Sequence, residues 1–181
     1  MGEYLLKWQW PDGGWNCDKK PQASTSSFHE SLIPLRAMHH LWQATGDRRY
    51  LLACERAAEF FLKRRLLYRV SDGNLILPAF SKLAFPSYWH YDFLSALSVM
   101  AEVECLNDPR CLDALDLLET KQLENGGFPA EHKYYKVTSE RGSNTSYVDL
   151  GPVGKNRMNE FVTVKALAVL LQSGRINLKL R

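Results

Sequence analysis

The sequence predicts an all-α fold in which an inner, apolar set of helices alternates with an outer, amphipathic set. Three observations carry this: five segments hold apolar residues at helical spacing, no strand-period run of useful length competes, and a glycine motif occurs twice. With 181 residues the chain is sized for one domain with a single core, so residues 1–181 are read as one unit. Hydrophobic residues at 45% and charged residues at 24% lie near the globular average, which excludes disordered, collagen-like and coiled-coil classes.

From Phe28 to Gln43 the residues Phe28, Leu32, Leu35, Met38, Leu41 and Trp42 keep helical spacing, with Ser27 and Glu30 placed as a capping box and Gly46 as the stop. Pro34 falls inside this helix and frees the Glu30 carbonyl. Asp47 caps a second helix whose stripe of Tyr50, Leu51, Cys54, Ala57, Ala58, Phe61 and Leu62 opposes Glu55, Arg56, Glu59 and Lys63. A third is expected from about Trp89 to Leu106 after Pro86, and a fourth from Asp108-Pro109 to about Leu123. The fifth, Met158 to Gln172, is apolar on nearly every side, so it is expected to be buried within the fold. Tyr4, Leu5, Leu6 and Trp8 read as the last turns of a further helix, and Asn74 to Phe80 fits a short extended piece.

The net charge of +3, with basic residues scattered apart from Lys63-Arg64-Arg65, indicates no nucleic-acid partner. Phe161 to Leu171, the most apolar stretch, is interrupted by Lys165 and falls short of the roughly 18 residues of a membrane span. Met1-Gly2-Glu3 does not begin a secretory leader, which makes the cytoplasm the expected location. The four cysteines lack metal-site spacing and are expected as free thiols rather than a disulfide frame.

Gln9-Trp10-Pro11-Asp12-Gly13-Gly14-Trp15 recurs as Gln122-Leu123-Glu124-Asn125-Gly126-Gly127-Phe128, with the Gln, both glycines and the aromatic in register. A weaker echo, Asp72-Gly73-Asn74, lies between them. The implied unit is a helical hairpin of about fifty residues that stacks on its neighbours. In each copy the Gln can reach free backbone groups at a helix end, the glycines permit a left-handed exit, and the aromatic folds back as a plug.

These motifs resemble the repeat of squalene and oxidosqualene cyclases and of protein prenyltransferases. The resemblance implies a partial α/α toroid of the terpenoid cyclase/protein prenyltransferase-like type, holding about half a ring. Six such hairpins would need about 300 residues, so a second copy or a further chain segment is expected to complete the ring. The Asp-x-Asp-Asp motif of the squalene cyclases is absent, and Asp113-Ala114-Leu115-Asp116 on an outer helix does not replace it, which argues against proton-initiated cyclisation.

Parallel inner helices would open at one mouth, where Phe28-His29-Glu30, Trp89-His90-Tyr91-Asp92 and Asn159-Glu160-Phe161 are expected to converge. His29, His90 and Asp92 are the candidate metal ligands for a divalent ion such as zinc, because imidazole and carboxylate suit it. Glu30, Asp92 and Glu160 are the candidate acid and base groups. The resemblance points the same way: protein prenyltransferases hold zinc with a His at the start of one inner helix and an Asp-x-Cys pair at another. Ser27-Phe28-His29-Glu30 matches the first position, and His90-Tyr91-Asp92 occupies the second. The alternative is helix capping by Glu30, Asp92 and Glu160.

Cys17-Asp18 and Glu131-His132 follow the two motif aromatics and are weaker candidates near the mouth, while His39 and His40 belong to packing or the rim. Trp15, Phe28, Tyr88, Trp89, Tyr91 and Phe161 supply aromatic faces for an isoprenoid chain or for sugar rings. The long connection from Pro129 to Arg157 is expected as a lid or an open edge. The expected function is a prenyltransferase/terpene-cyclase-like protein binding an apolar or isoprenoid ligand. A carbohydrate-active toroid enzyme binding a glycan and a non-catalytic scaffold are the alternatives.

Overall fold

A computed structural model describes residues 1–20 and 22–177. The described chain is dominated by helix: α1 Gly2–Lys7, α2 Phe28–Thr45, α3 Arg48–Leu62, α4 Phe93–Glu102, α5 Leu112–Thr120 and α6 Glu160–Gln172. Single 3-10 turns at Pro78–Ser81 and Pro109–Cys111 precede α4 and α5. Two-residue strands, β1 Lys136–Val137 and β2 Thr145–Ser146, pair in parallel inside the connection before α6.

The helices take two layers. α2, α4 and α6 lie side by side, since α4 packs against both others, while α3 backs α2 and α5 backs α4. His29 near the start of α2 meets Tyr91 just before α4, and Arg36 further along α2 meets Glu102 at the end of α4, so these two helices run parallel. Lys165 in the second turn of α6 reaches Ser95 in the first turn of α4, which sets the start of α6 at the same end. Between the layers Phe28, Phe60, Phe61, Phe80 and Tyr91 form one buried aromatic cluster with centroid separations of 4.6 to 5.8 Å. Each such ring contributes about 1.5–3 kcal/mol through burial alone.

Helix boundaries follow local chemistry. Gly46 stops α2 at φ 69, and Asp47 caps α3 by accepting from the Arg49 backbone N–H, both as the sequence indicates. The Ser27 capping box does not form: Glu30 turns away to accept from the Cys17 backbone N–H, and Ser31 Oγ donates to the Ser27 carbonyl. α4 begins at Phe93, four residues later than expected, because Asp92 is its cap and accepts from the Ser95 backbone N–H. It ends early where Glu104 adopts φ 61 and Cys105 N–H returns to the Met100 carbonyl. α5 stops at Thr120 for a related reason, since Gln122 already belongs to the second glycine turn.

The expected burial of the last helix is half right. α6 buries Val162, Thr163, Ala166, Val169 and Leu170, whereas Phe161, Val164 and Leu171 are exposed. Its neighbour is α4 alone among the described helices in substantial contact with it, so an apolar circumference has only one face to bury. The long connection is pinned rather than open: Tyr135 Oη accepts from Leu150 N–H, and Asn159 Nδ2 donates to the Leu150 and Pro152 carbonyls.

The two glycine motifs fold alike down to single bonds. In the first, Gln9 Nε2 donates to the Gly13 carbonyl, Trp10 N–H to Gly14, and Gly13 N–H to Trp10. In the second, Gln122 Nε2 donates to Gly126, Leu123 N–H to Gly127, and Gly126 N–H to Leu123. The plugs then dock on equivalent helix residues: Trp15 N–H donates to Ser31 Oγ at 2.9 Å and Phe128 N–H to Thr163 Oγ1 at 2.8 Å. Ser27 and Asn159, which begin α2 and α6, each donate a backbone N–H to the carbonyl of the plug aromatic. α2 and α6 are therefore the same position of one structural repeat.

Candidate ligand site

At the common end of α2, α4 and α6 lies a cavity of about 360 Å³. Leu32, Ile33, Phe85, Tyr88 and Trp89 supply its apolar wall, and His29, His90, Arg36, Ser95, Glu102 and Lys165 its polar wall. Phe161 stacks on Phe85 with centroids 4.6 Å apart and planes 3° from parallel, which extends the wall onto α6.

The structure brings His29 and His90 together, with ring centroids 6.0 Å apart. They arrive by different routes: His29 is inside the first turn of α2, and His90 precedes the α4 cap. His29 Nδ1 accepts the Tyr91 backbone N–H at 2.8 Å, so the neutral ring carries its proton on Nε2. Burial first and then His90 hold the His29 imidazole below its ordinary pKa, which favours this neutral form. His90 is sandwiched between Trp89, centroid at 3.9 Å, and Tyr134, at 3.5 Å and 3° from parallel. Tyr134 in turn meets the edge of His132 at 4.6 Å, so the long connection contributes two rings to the mouth.

Asp92 is buried, at 1% exposure, and both its oxygens accept from Ser95: Oδ1 from the backbone N–H at 2.9 Å, Oδ2 from the hydroxyl at 2.8 Å. Lys165 Nζ donates to Ser95 Oγ at 2.9 Å, giving a continuous chain from ammonium through hydroxyl to carboxylate. Burial raises the Asp92 pKa against the opposing pull of Lys165, and burial lowers that of Lys165 against the opposing pull of Asp92. Arg36 closes the other end of the cavity through a 2.6 Å ion pair with Glu102.

The remaining expected residues scatter. Phe28 belongs to the buried aromatic cluster; Tyr91 does too, its hydroxyl donating to the Leu66 carbonyl at 2.5 Å, and it also borders the cavity. Glu160 is exposed in the first turn of α6 and does not line the cavity. Trp15 and Glu30 lie on the far flank of α2, in a second groove of about 630 Å³ with Leu5, Trp8, Trp10, Cys17 and Pro34. The Cys17 thiol there is pushed up by its hydrogen bond to Glu30, which keeps it protonated. Cys54, Cys105 and Cys111 are likewise free thiols, and burial is the first cause of their raised pKa values.

Two of the three expected metal ligands are engaged in hydrogen bonds as placed. Neutral His29 has no free ring lone pair, since Nδ1 accepts from Tyr91 and Nε2 is protonated, and each Asp92 oxygen accepts one hydrogen bond from Ser95. Among the described residues no three His, Cys, Asp or Glu side chains gather as a metal-ligand group.

Lys165, Ser95, Arg36 and Glu102 are polar site residues that the sequence reading missed. For Lys165 the signal was present: a single lysine interrupting the apolar run of α6 marks a charge that must find a partner once buried. No helix among the described residues is long and apolar enough to cross a membrane. Comparison with protein-family models, curated proteins and solved structures gives no match.

Proposed function

We propose that the chain is an arc of an α/α toroid whose cavity binds a ligand with an apolar, isoprenoid-like body and an anionic end. The two-layer alternation of helices and the bond-for-bond repeat of the glycine motif support the arc. The ligand class rests on one observation, three nitrogen donors spread along the wall of an aromatic cavity whose lining carboxylate, Glu102, is already paired with Arg36. His29 Nε2–H, the Lys165 ammonium and the Arg36 guanidinium all belong to the lining, while Asp92 is shielded beneath Ser95. Leu32, Ile33, Phe85 and Trp89 match an apolar body, and about 360 Å³ falls within the range of small-molecule sites.

The exposed face of Trp89, backed by the His90 and Tyr134 stack, favours a second reading, a neutral sugar ring laid on an aromatic platform. Thermal shift separates the two. An isoprenoid diphosphate or a long-chain carboxylate should raise the melting temperature, since a ligand at a hundredfold its Kd stabilises by about 2.7 kcal/mol. Trp89→Ala, a change at an exposed position, should weaken that shift at least tenfold in ligand concentration. Stabilisation by neutral oligosaccharides alone rejects the anionic ligand, and no stabilisation by either favours a scaffold role. One equivalent of zinc found by elemental analysis would reject the donor assignment of His29.

A further inference from the structure

The repeat equivalence of α2 and α6 carries an inference about assembly. Ser27 and Asn159 begin the two helices, and Ser31 and Thr163 dock the two plug aromatics, so residues 132 apart occupy the same place. On the flank of α2 that meets α4, His29 bonds to Tyr91 and Arg36 to Glu102. The same flank of α6 carries Phe161, Val164 and Ala168, all exposed, with Val164 at 69%. This face has the geometry of a flank that receives the next helix, and its side chains are apolar.

The opposite flanks show the reverse. α6 buries Val162 and Ala166 completely as it packs on α4. Their equivalents on α2 are Glu30 and Pro34, which are half-buried and line the groove with Trp8 and Trp10. Among the described residues, one end of the layer thus lacks the helix that the other end offers.

We infer that the exposed flank of α6 docks into the tryptophan groove beside α2 of a second copy of this chain. The contact continues the α2, α4, α6 layer across the boundary and reuses the side-by-side packing seen within it. It is head to tail, so two copies close into a ring if the rotation permits and otherwise propagate. Neither end needs to rearrange, because both flanks are already presented by helices held in the core. The cavity lies within one copy and neither Val164 nor Trp8 lines it, so substitutions at those two positions separate assembly from ligand binding.

Sedimentation of the full chain tests this. The expected species has twice the 20.8 kDa chain mass or a larger multiple. Val164→Asp and Trp8→Asp, both at exposed positions, should each reduce assembly toward the single-chain mass with helical content by circular dichroism unchanged. Mixing the two variants should restore a dimer, because one junction then has two unaltered faces; neither variant alone has such a junction. A wild-type chain that stays at single-chain mass up to its solubility limit overturns the inference. So does assembly that survives both substitutions, or a mixture that does not associate.

Discussion

Lys165 of α6 and Ser95 of α4 meet at 2.9 Å, and Ser95 passes the contact on to the buried Asp92, which is also the α4 cap. A single carboxylate therefore starts one helix and holds a charge from the next. Removing one member of such a pair strands the other in a low-dielectric site, which is the larger part of the energetic effect.

Asp92→Asn should keep the cap, because Asn accepts from the backbone as Asn159 does at α6, yet leave Lys165 without its countercharge. Lys165→Met should destabilise by about 3 kcal/mol for the mirror-image reason. The double variant is expected to lose less than the sum of the two, and urea denaturation of all four proteins measures the coupling. Additive losses would mean that the two charges do not interact.

The same carboxylate sets a pH dependence. Its folded pKa lies above the ordinary value of 3.8, so the folded state binds this proton more tightly than the unfolded chain. That contribution is full below 3.8 and is lost as pH rises through the folded pKa. Relative to Asp92→Asn, wild type should therefore gain stability on acidification across this window. A constant difference between the two across the acid range would contradict the burial-driven shift.

His29 has the opposite sign. Its folded pKa lies below the ordinary 6.5, so its contribution is present above 6.5 and is lost as pH falls through the folded pKa. Protonation also removes the lone pair that accepts the Tyr91 N–H, leaving that backbone group unpaired at the mouth. Proton NMR should place the His29 pKa below 6.5, and His29→Ala should flatten the stability loss on mild acidification. It should also cost about 1–3 kcal/mol at neutral pH.

Much of the fold was legible because helices here are set by local signals. Gly46, Asp47 and the glycine turns act within a few residues, so the positions of α2 and α3 and the repeat followed from spacing alone. The start of α4 did not, since Trp89 and His90 keep helical periodicity while Asp92 competes as a cap. The site was half legible. Histidines at helix starts pointed to the mouth, but Glu30 was read as facing it when the turn of α2 carries it to the other flank. Lys165 and Ser95 belong to different repeats, and their meeting depends on tertiary packing that no local pattern encodes.

The equivalent hydroxyls of the two repeats should be equally informative. Thr163→Val preserves shape but leaves the buried Phe128 N–H without its acceptor, and Ser31→Ala does the same to Trp15. Each should cost about 1–3 kcal/mol in denaturant unfolding. A near-zero loss at either position would show that its plug is held by aromatic packing alone.

The glycines of the two motifs should differ although they align in sequence. Gly13 at φ 101 and Gly126 at φ 82 both occupy the left-handed region, where an L side chain is strained by about 1–2 kcal/mol. A Cβ on Gly126 meets nothing within 4 Å, so Gly126→Ala should lose only that amount. A Cβ on Gly13 would fall 2.2 Å from the Arg56 carbonyl oxygen, a backbone atom of the α3 interior that cannot swing aside. Gly13→Ala should therefore force α3 away from the first motif, disturb the bond from Gln9 Nε2 to the Ala53 carbonyl, and lose well over 3 kcal/mol. Thermal unfolding of the two alanine variants side by side checks the claim, since equal losses would mean that backbone strain is the whole effect at both sites.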